Sequence, residues 1–230
     1  MTKDNYSFDE ERAAQYDADI VKALPGYLGL HNLVAATVES QLTAPGNILV
    51  VGAGTGTDIA SLTMIKNCQS ITACEPEQSM ASFGQKKTGT RLNGKDIRWW
   101  VSHLNAAPME TFSVVVMTLV LHFLPDDGSK AALLTEIRER LEPGGTFIFV
   151  NLMKPDNKKT EAEFLKAWES YNELNGVPEA EYKVFFSERV KKVNFATERR
   201  DRELWQSQGF REISRFTSAL YLQGYVLQKV

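Results

Sequence analysis

The chain is 230 residues long, 43% of them hydrophobic, with a net charge of −3. That length suits one large domain, or one domain carrying an insertion, and such a chain can bury a sizeable core. The charge excludes a global basic field for nucleic acid. The cysteines Cys68 and Cys74 sit in no CxxC or Cys/His cluster, as expected of a reduced cytoplasmic protein without structural zinc.

The N-terminal MTKDNYSFDEERAAQYD is polar and acidic and lacks the apolar core of a signal peptide. No stretch reaches the roughly 18 apolar residues of a membrane span. Residues 8–22 mix apolar and charged side chains and predict a helix, which Leu24-Pro25-Gly26-Tyr27 breaks. A second helix is expected over 28–42. Residues 48–51 are all aliphatic, the mark of a strand buried on both faces. Residues 57–66 read as a helix, 70–74 as a strand, and 77–87 as a helix entered at Pro76. Strands follow at 97–101 and 112–118, then a helix at 128–141. A Glu142-Pro143-Gly144-Gly145 turn ends that helix, and 146–152 is a fifth strand.

Residues 154–198 break the alternation. They are rich in Lys and Glu, with Phe164, Trp168, Tyr171, Tyr182, Phe185, Phe186 and Phe195 interleaved. This region reads as a helical insertion, or lid, over one end of the sheet. Its aromatics suit a flat or apolar acceptor, a subunit interface or a small core of their own. Lys191-Lys192 and Arg199-Arg200 form a basic run diluted by Glu188, Glu198 and Asp201, the pattern of a solvated face. After a helix at 199–208, runs at 210–217 and 220–229 are too close for a helical crossover and must pair antiparallel. The expectation is a doubly wound α/β fold, with a mostly parallel seven-stranded sheet and a C-terminal hairpin. Residues 1–230 form one domain, with N-terminal helices in 1–45.

Gly52, Gly54 and Gly56 follow the first strand and precede a helix, where doubly wound folds dock nucleotide-like ligands. Gly56-Thr57-Asp58 is not the GKS/GKT of a P-loop. A dinucleotide site wants GxGxxG, and the spacing here is GxGxG. Glu75 ends the second strand about 20 residues later, where an acid grips a ribose diol. His31, His103 and His122 are scattered and give no metal-binding spacing.

VGAGTG at 51–56, CEPEQSM at 74–80, VVVMTLVLHFLPD at 114–126, LEPGGTFIFVNL at 141–152 and the terminal hairpin together resemble a class I S-adenosylmethionine-dependent methyltransferase. The resemblance covers about residue 8 to 230. ALPGYLGL and WESYNELNG are similar to segments of the carboxy-S-adenosylmethionine synthase of tRNA wobble-uridine modification and its methyltransferase neighbours. The resemblance implies S-adenosyl-L-methionine as cofactor. It implies that Gly52, Ala53 and Gly54 approach the methionine and ribose, that Glu75 binds the ribose hydroxyls, and that Pro76 lines the adenine. His103 and Leu104 stand where the family usually has an adenine-binding aspartate. Thr118 and Leu119 face the methionyl group, and Tyr27 meets the amino-acid end. Val50 replaces an acid that in many members orients the methionyl amine. Tyr16 either closes over the site or packs in its helix. His122 either deprotonates an acceptor or packs at a helix entry.

The expected reaction is in-line methyl transfer to a small-molecule acceptor, in which proximity supplies much of the acceleration and a strong base is optional. A synthase-like enzyme, whose carboxylated product calls for an arginine such as Arg199, Arg200 or Arg202, is the alternative. A non-catalytic cofactor-binding or RNA-associated module and a dehydrogenase are the others. The sequence argues against nucleic-acid and membrane partners and leaves a homodimer open.

Overall fold

The computed structural model describes residues 10–184 and 193–230. Phe185, Phe186, Glu188, Lys191, Lys192 and the expected helix start at residue 8 lie outside them. Two helices, α1 (Glu10–Ala23) and α2 (Tyr27–Gln41), precede the sheet. Alternation then sets in: β1 (Gly46–Val51), α3 (Thr57–Leu62), β2 (Cys68–Cys74), α4 (Gln78–Thr88), β3 (Arg91–Leu92), β4 (Lys95–Trp100), β5 (Phe112–Thr118), α5 (Ser129–Glu139) and β6 (Leu141–Leu152). The inserted helices are α6 (Lys158–Leu174) and α7 (Glu179–Val184); α8 (Glu198–Ser207), β7 (Phe210–Ala219) and β8 (Leu222–Lys229) close the chain.

The strands form one 8-stranded sheet in the order β3-β4-β2-β1-β5-β6-β8-β7. The inner strands β4, β2, β1, β5 and β6 are parallel. β8 runs antiparallel between β6 and β7, which is the expected hairpin. The eighth strand, beyond the seven expected, is β3, a two-residue strand that folds back on β4. Its turn is Asn93-Gly94, with φ of 50° and 80°, the positive values a tight hairpin needs.

Two further boundaries differ from the sequence reading. The helix expected over 57–66 stops at Leu62, where the Thr63 hydroxyl donates back to Ala60 O at 2.8 Å and the chain turns toward β2. Glu142-Pro143-Gly144-Gly145 lies inside β6 as a bulge: Phe112 pairs with Leu141, and the ladder resumes at Val114 with Thr146.

Alternation along the central strands builds two cores. Ile48, Val50, Val114, Val116, Ile148 and Val150 pack on α2 and α3 on one face. Leu49, Val51, Val115, Met117, Phe147 and Phe149 pack on α5 and α8 on the other. Burial of the strands on both faces explains their unbroken apolar character. The insertion joins the first core: Trp168 is buried against Tyr221, ring centroids 5.6 Å apart, and its indole N–H donates to Ala23 O at 2.6 Å.

Candidate functional site

The carboxyl ends of β1, β2, β4 and β5 open into a cavity of about 860 Å³. This is the place where doubly wound sheets bind ligands, and the size suits a small organic molecule. The structure brings eleven of the sequence-predicted residues to its lining. Tyr16, Tyr27, Gly52, Ala53, Gly54, Glu75, Pro76, His103, Leu104, Thr118 and Leu119 all face it.

The glycines divide the labour. Gly52 bends the chain at φ 68°, and a Cβ there would fall 2.2 Å from Val120 Cγ2. Gly54 meets only Met80 Cε, at 3.6 Å, so its face stays open. Its N–H donates to Glu75 Oε2 at 2.8 Å, and the Glu77 N–H donates to Glu75 Oε1 at 2.9 Å. Glu75 is thus a buried carboxylate fixed by two amides at the cavity wall. Burial raises its pKa, against the lowering effect of those two bonds. Gly56 serves packing: a Cβ would press on Gly84 Cα and Thr88 Cγ2, both at 3.3 Å.

At the end of β5, Leu119 holds a positive φ of 61°, an unusual conformation for a side-chain-bearing residue. Beside it the Thr118 hydroxyl is buried with no hydrogen-bond partner, which suits a ligand polar atom. Val50 is fully buried in β1, as a central strand requires.

Of the two places the sequence offered for His122, a base at the acceptor or a packed side chain, the structure shows a packed one. It does not line the cavity. Its Nδ1–H donates to Asn151 Oδ1 at 2.7 Å, its ring packs on Phe123 and Phe195, and it is almost completely buried. Asn151 Nδ2 in turn donates to Asp201 Oδ2 at 2.8 Å. Burial lowers the His122 pKa to about 4 and raises that of Asp201 to about 6. The aromatics of α6 and α7 are likewise absent from the lining. From the last part of the insertion, Val193 and Asn194 reach it.

Sequence reasoning missed two lining groups. His31 and Asp58 are paired, with Nδ1–H donating to Oδ1 at 2.5 Å. The usable signal was position: His31 lies one turn beyond Tyr27 on α2, hence on the same face. The second group fastens α1 to the glycine elbow. Thr55 and Thr57 hydroxyls donate to Asp17 Oδ1 at 2.5 and 3.3 Å, and Lys87 Nζ donates to Asp17 Oδ2 at 3.1 Å. Among the described residues, no cluster of His, Cys, Asp or Glu is arranged to hold a metal.

Residues 49–147 match the family described as a methyltransferase domain. An N-methyltransferase of Bradyrhizobium japonicum, solved with S-adenosyl-L-homocysteine, superposes with a TM-score of 0.69 at 14% identity, covering 98% of this chain and 99% of that one. The magnesium protoporphyrin IX methyltransferase of Synechocystis gives 0.65 at 12% identity, over 97% and 96% of the two chains. Residues 49–147 thus resemble a methyltransferase domain, and the chain shares the fold of these methyltransferases. In sequence, the chain is similar to the carboxy-S-adenosyl-L-methionine synthase of Dichelobacter nodosus, 25% identical over 98% of this chain and 93% of that protein. The synthase of the same name from Campylobacter curvus is 22% identical over 76% of this chain and 73% of its own.

Proposed function

We propose that the protein transfers a methyl group from S-adenosyl-L-methionine to a small-molecule acceptor. The observation that carries this reading is Glu75, a buried carboxylate fixed by the Gly54 and Glu77 amides at the cavity wall. In this reading Glu75 accepts from the ribose hydroxyls, since charge-assisted bonds to a diol are short and selective. Pro76, His103 and Leu104 border the adenine. Gly52, Ala53 and Gly54 leave room for the ribose and sulfur. Tyr16, Tyr27, Thr118 and Leu119 surround the amino-acid end. The bound cofactor supplies an electrophilic methyl on a sulfonium. The protein's part is to align the acceptor and keep water out. With His122 off the wall, it has no place in this proposal as a base.

A small acceptor agrees with a lining that, among the described residues, carries Asp58, Glu75, Glu77 and Glu136 and no Lys or Arg. No helix among the described residues is long and apolar enough to cross a membrane. We take 1–230 as one methyltransferase domain, with the helices of 1–45 and the 154–198 insertion flanking the site. Calorimetry with S-adenosylhomocysteine tests the reading: binding in the micromolar range is expected, and no heat at high micromolar ligand sinks it.

The second reading is a synthase that makes a carboxylated cofactor. It is favoured by the similarity to such a synthase over 98% of the chain. Its need for a free arginine meets resistance: Arg199 pairs with Asp156, Arg200 with Asp126, and Arg202 with Glu198 and Glu212. Arg189 lies outside the described residues. Mass spectrometry of the copurified ligand separates the two readings by the mass of one carboxyl group.

A further inference from the structure

The loop that follows β4 meets the cavity on one side and a buried cation on the other. Arg140 caps the end of α5, is 2% exposed and does not itself line the cavity. Its Nη2 donates to Leu104 O at 2.8 Å and to Ala107 O at 3.2 Å, and its Nη1 donates to Glu136 O at 3.3 Å. These partners are backbone carbonyls, and among the described residues Arg140 makes no ion pair. A buried charge without a counter-ion is destabilising, and an apolar side chain of similar volume is often at least as stable in its place. Stability is therefore a poor account of this guanidinium. Geometry is a better one: two N–H groups on one planar nitrogen fix two carbonyls of the same loop. A second tie, from Cys74 Sγ to Ser102 O at 3.3 Å, holds the loop's entry. Between these ties His103, Leu104 and Asn105 line the cavity.

We propose that Arg140 is a positioning residue for the nucleoside half of the cofactor: from behind the cavity wall it fixes the 102–107 loop, so that His103, Leu104 and Asn105 form one edge of the base pocket. The inference rests on the cofactor reading above, which places His103 and Leu104 at the adenine. The loop's own backbone bonds, Ala106 N–H to His103 O and Ala107 N–H to Leu104 O, both at 3.1 Å, close a single helical turn. A turn that short is not stable alone, so its shape depends on what holds it from outside. The guanidinium stays charged throughout the working pH range, so the tie does not come and go with pH. Without Arg140 the loop is free, and a ligand has to order it on binding, which weakens affinity. The amino-acid end of the cofactor is surrounded by other elements and does not depend on this tie.

The experiment measures two ligands by calorimetry on the wild type, Arg140→Met and Arg140→Lys. One is S-adenosylhomocysteine; the other is methylthioadenosine, which shares its base, ribose and sulfur but lacks the amino acid. Arg140→Met is expected to weaken both by the same factor, roughly tenfold or more, the scale of lost bonds to a charged donor. Arg140→Lys, which keeps the charge and can still reach a carbonyl, should recover part of that loss. In the free variants, hydrogen exchange should quicken at Ala106 and Ala107 and stay unchanged in β1 and β2. Circular dichroism melts establish folding; if Arg140→Met does not fold, Arg140→Lys decides by the same two readouts. Unchanged affinities in a folded variant overturn the inference, because a purely structural Arg140 alters the melt and not the binding of the folded chain. A loss confined to S-adenosylhomocysteine also overturns it, since the defect then lies at the amino-acid end. A wild type that binds neither ligand overturns the cofactor reading and this inference with it.

Discussion

Gly54 and Glu75 are joined by one hydrogen bond, and much of the site follows from it. The bond fixes a loop amide and a carboxylate in mutual register, so the acid is preorganised before any ligand arrives. Gln at 75 has one acceptor oxygen for two amides, and its NH₂ must face one of them or the ligand. Glu75→Gln is expected to weaken S-adenosylhomocysteine by roughly 10- to 100-fold, the range of lost bonds to a charged acceptor, as read by calorimetry. Gly84 shows a different use of the missing Cβ. A Cβ there would fall 2.1 Å from Trp99 Cη2 and 2.7 Å from Cζ2, and the indole is tied to Thr88 Oγ1 at 3.2 Å. Gly84→Ala should cost about 1–3 kcal/mol by overpacking, measured as a lower urea midpoint with unchanged m-value. The sequence marked Gly52, Gly54 and Gly56 as one motif. It did not show that Gly56 faces Gly84, because that contact joins residues far apart in the chain.

At the scale of elements, the strands were legible because burial on both faces demands aliphatic runs, as in Val114-Val115-Val116. β3 was not, because two residues carry no periodicity and its only signal was the Asn93-Gly94 turn. The two alternatives for His122 could not be separated in the sequence for a related reason: its position after β5 is on the ligand side of the sheet, but Asn151 on β6 and Asp201 on α8 draw the ring into the interior. That network ties a turn, a strand and a helix, and it has a pH signature. His122 titrates near 4 in the folded chain against an ordinary 6.5, so between those values the unfolded state holds the extra proton and stability rises with pH. Asp201 titrates near 6 against an ordinary 3.8, so from 3.8 to 6 the folded state holds the extra proton and stability falls with pH. Each effect is about 3 kcal/mol at full extent, and in the shared window they oppose each other. Single substitutions separate them. His122→Asn leaves the Asp201 effect, and its stability relative to wild type should fall as pH goes from 4 to 6. Asp201→Asn leaves the His122 effect, and its stability relative to wild type should rise from about pH 4 to 6 and then level off. Urea midpoints across that range read both, and parallel curves for wild type and variants would remove the network from the pH response.

Across the whole molecule, burial is uneven, and the uneven part borders the site. The five parallel strands are sealed between two cores, whereas none of the described side chains of α1 is buried. Ile20 and Val21 of α1 pack only part-buried against the first core, and Asp17 adds polar contacts with Thr55, Thr57 and Lys87. Asp17 and Lys87 are both about two-fifths exposed, so their ion pair contributes at most about 1 kcal/mol. A helix held this way opens locally far more often than the sheet unfolds. It also carries Tyr16 to the cavity wall, so a ligand there binds the closed arrangement and shifts the population toward it. Hydrogen exchange reads this directly. Amides of α1 should exchange much faster than those of β1 and β5 in the free protein. Saturating S-adenosylhomocysteine should slow α1 by roughly 100-fold at 100 times Kd if closure and binding are coupled, following the mass-action relation. Asp17→Ala should speed α1 exchange in the free protein and leave β1 and β5 unchanged, because the strands open only with global unfolding. If α1 exchanged as slowly as the strands without ligand, it would be a fixed wall of the cavity, and Tyr16 would already be in place before binding.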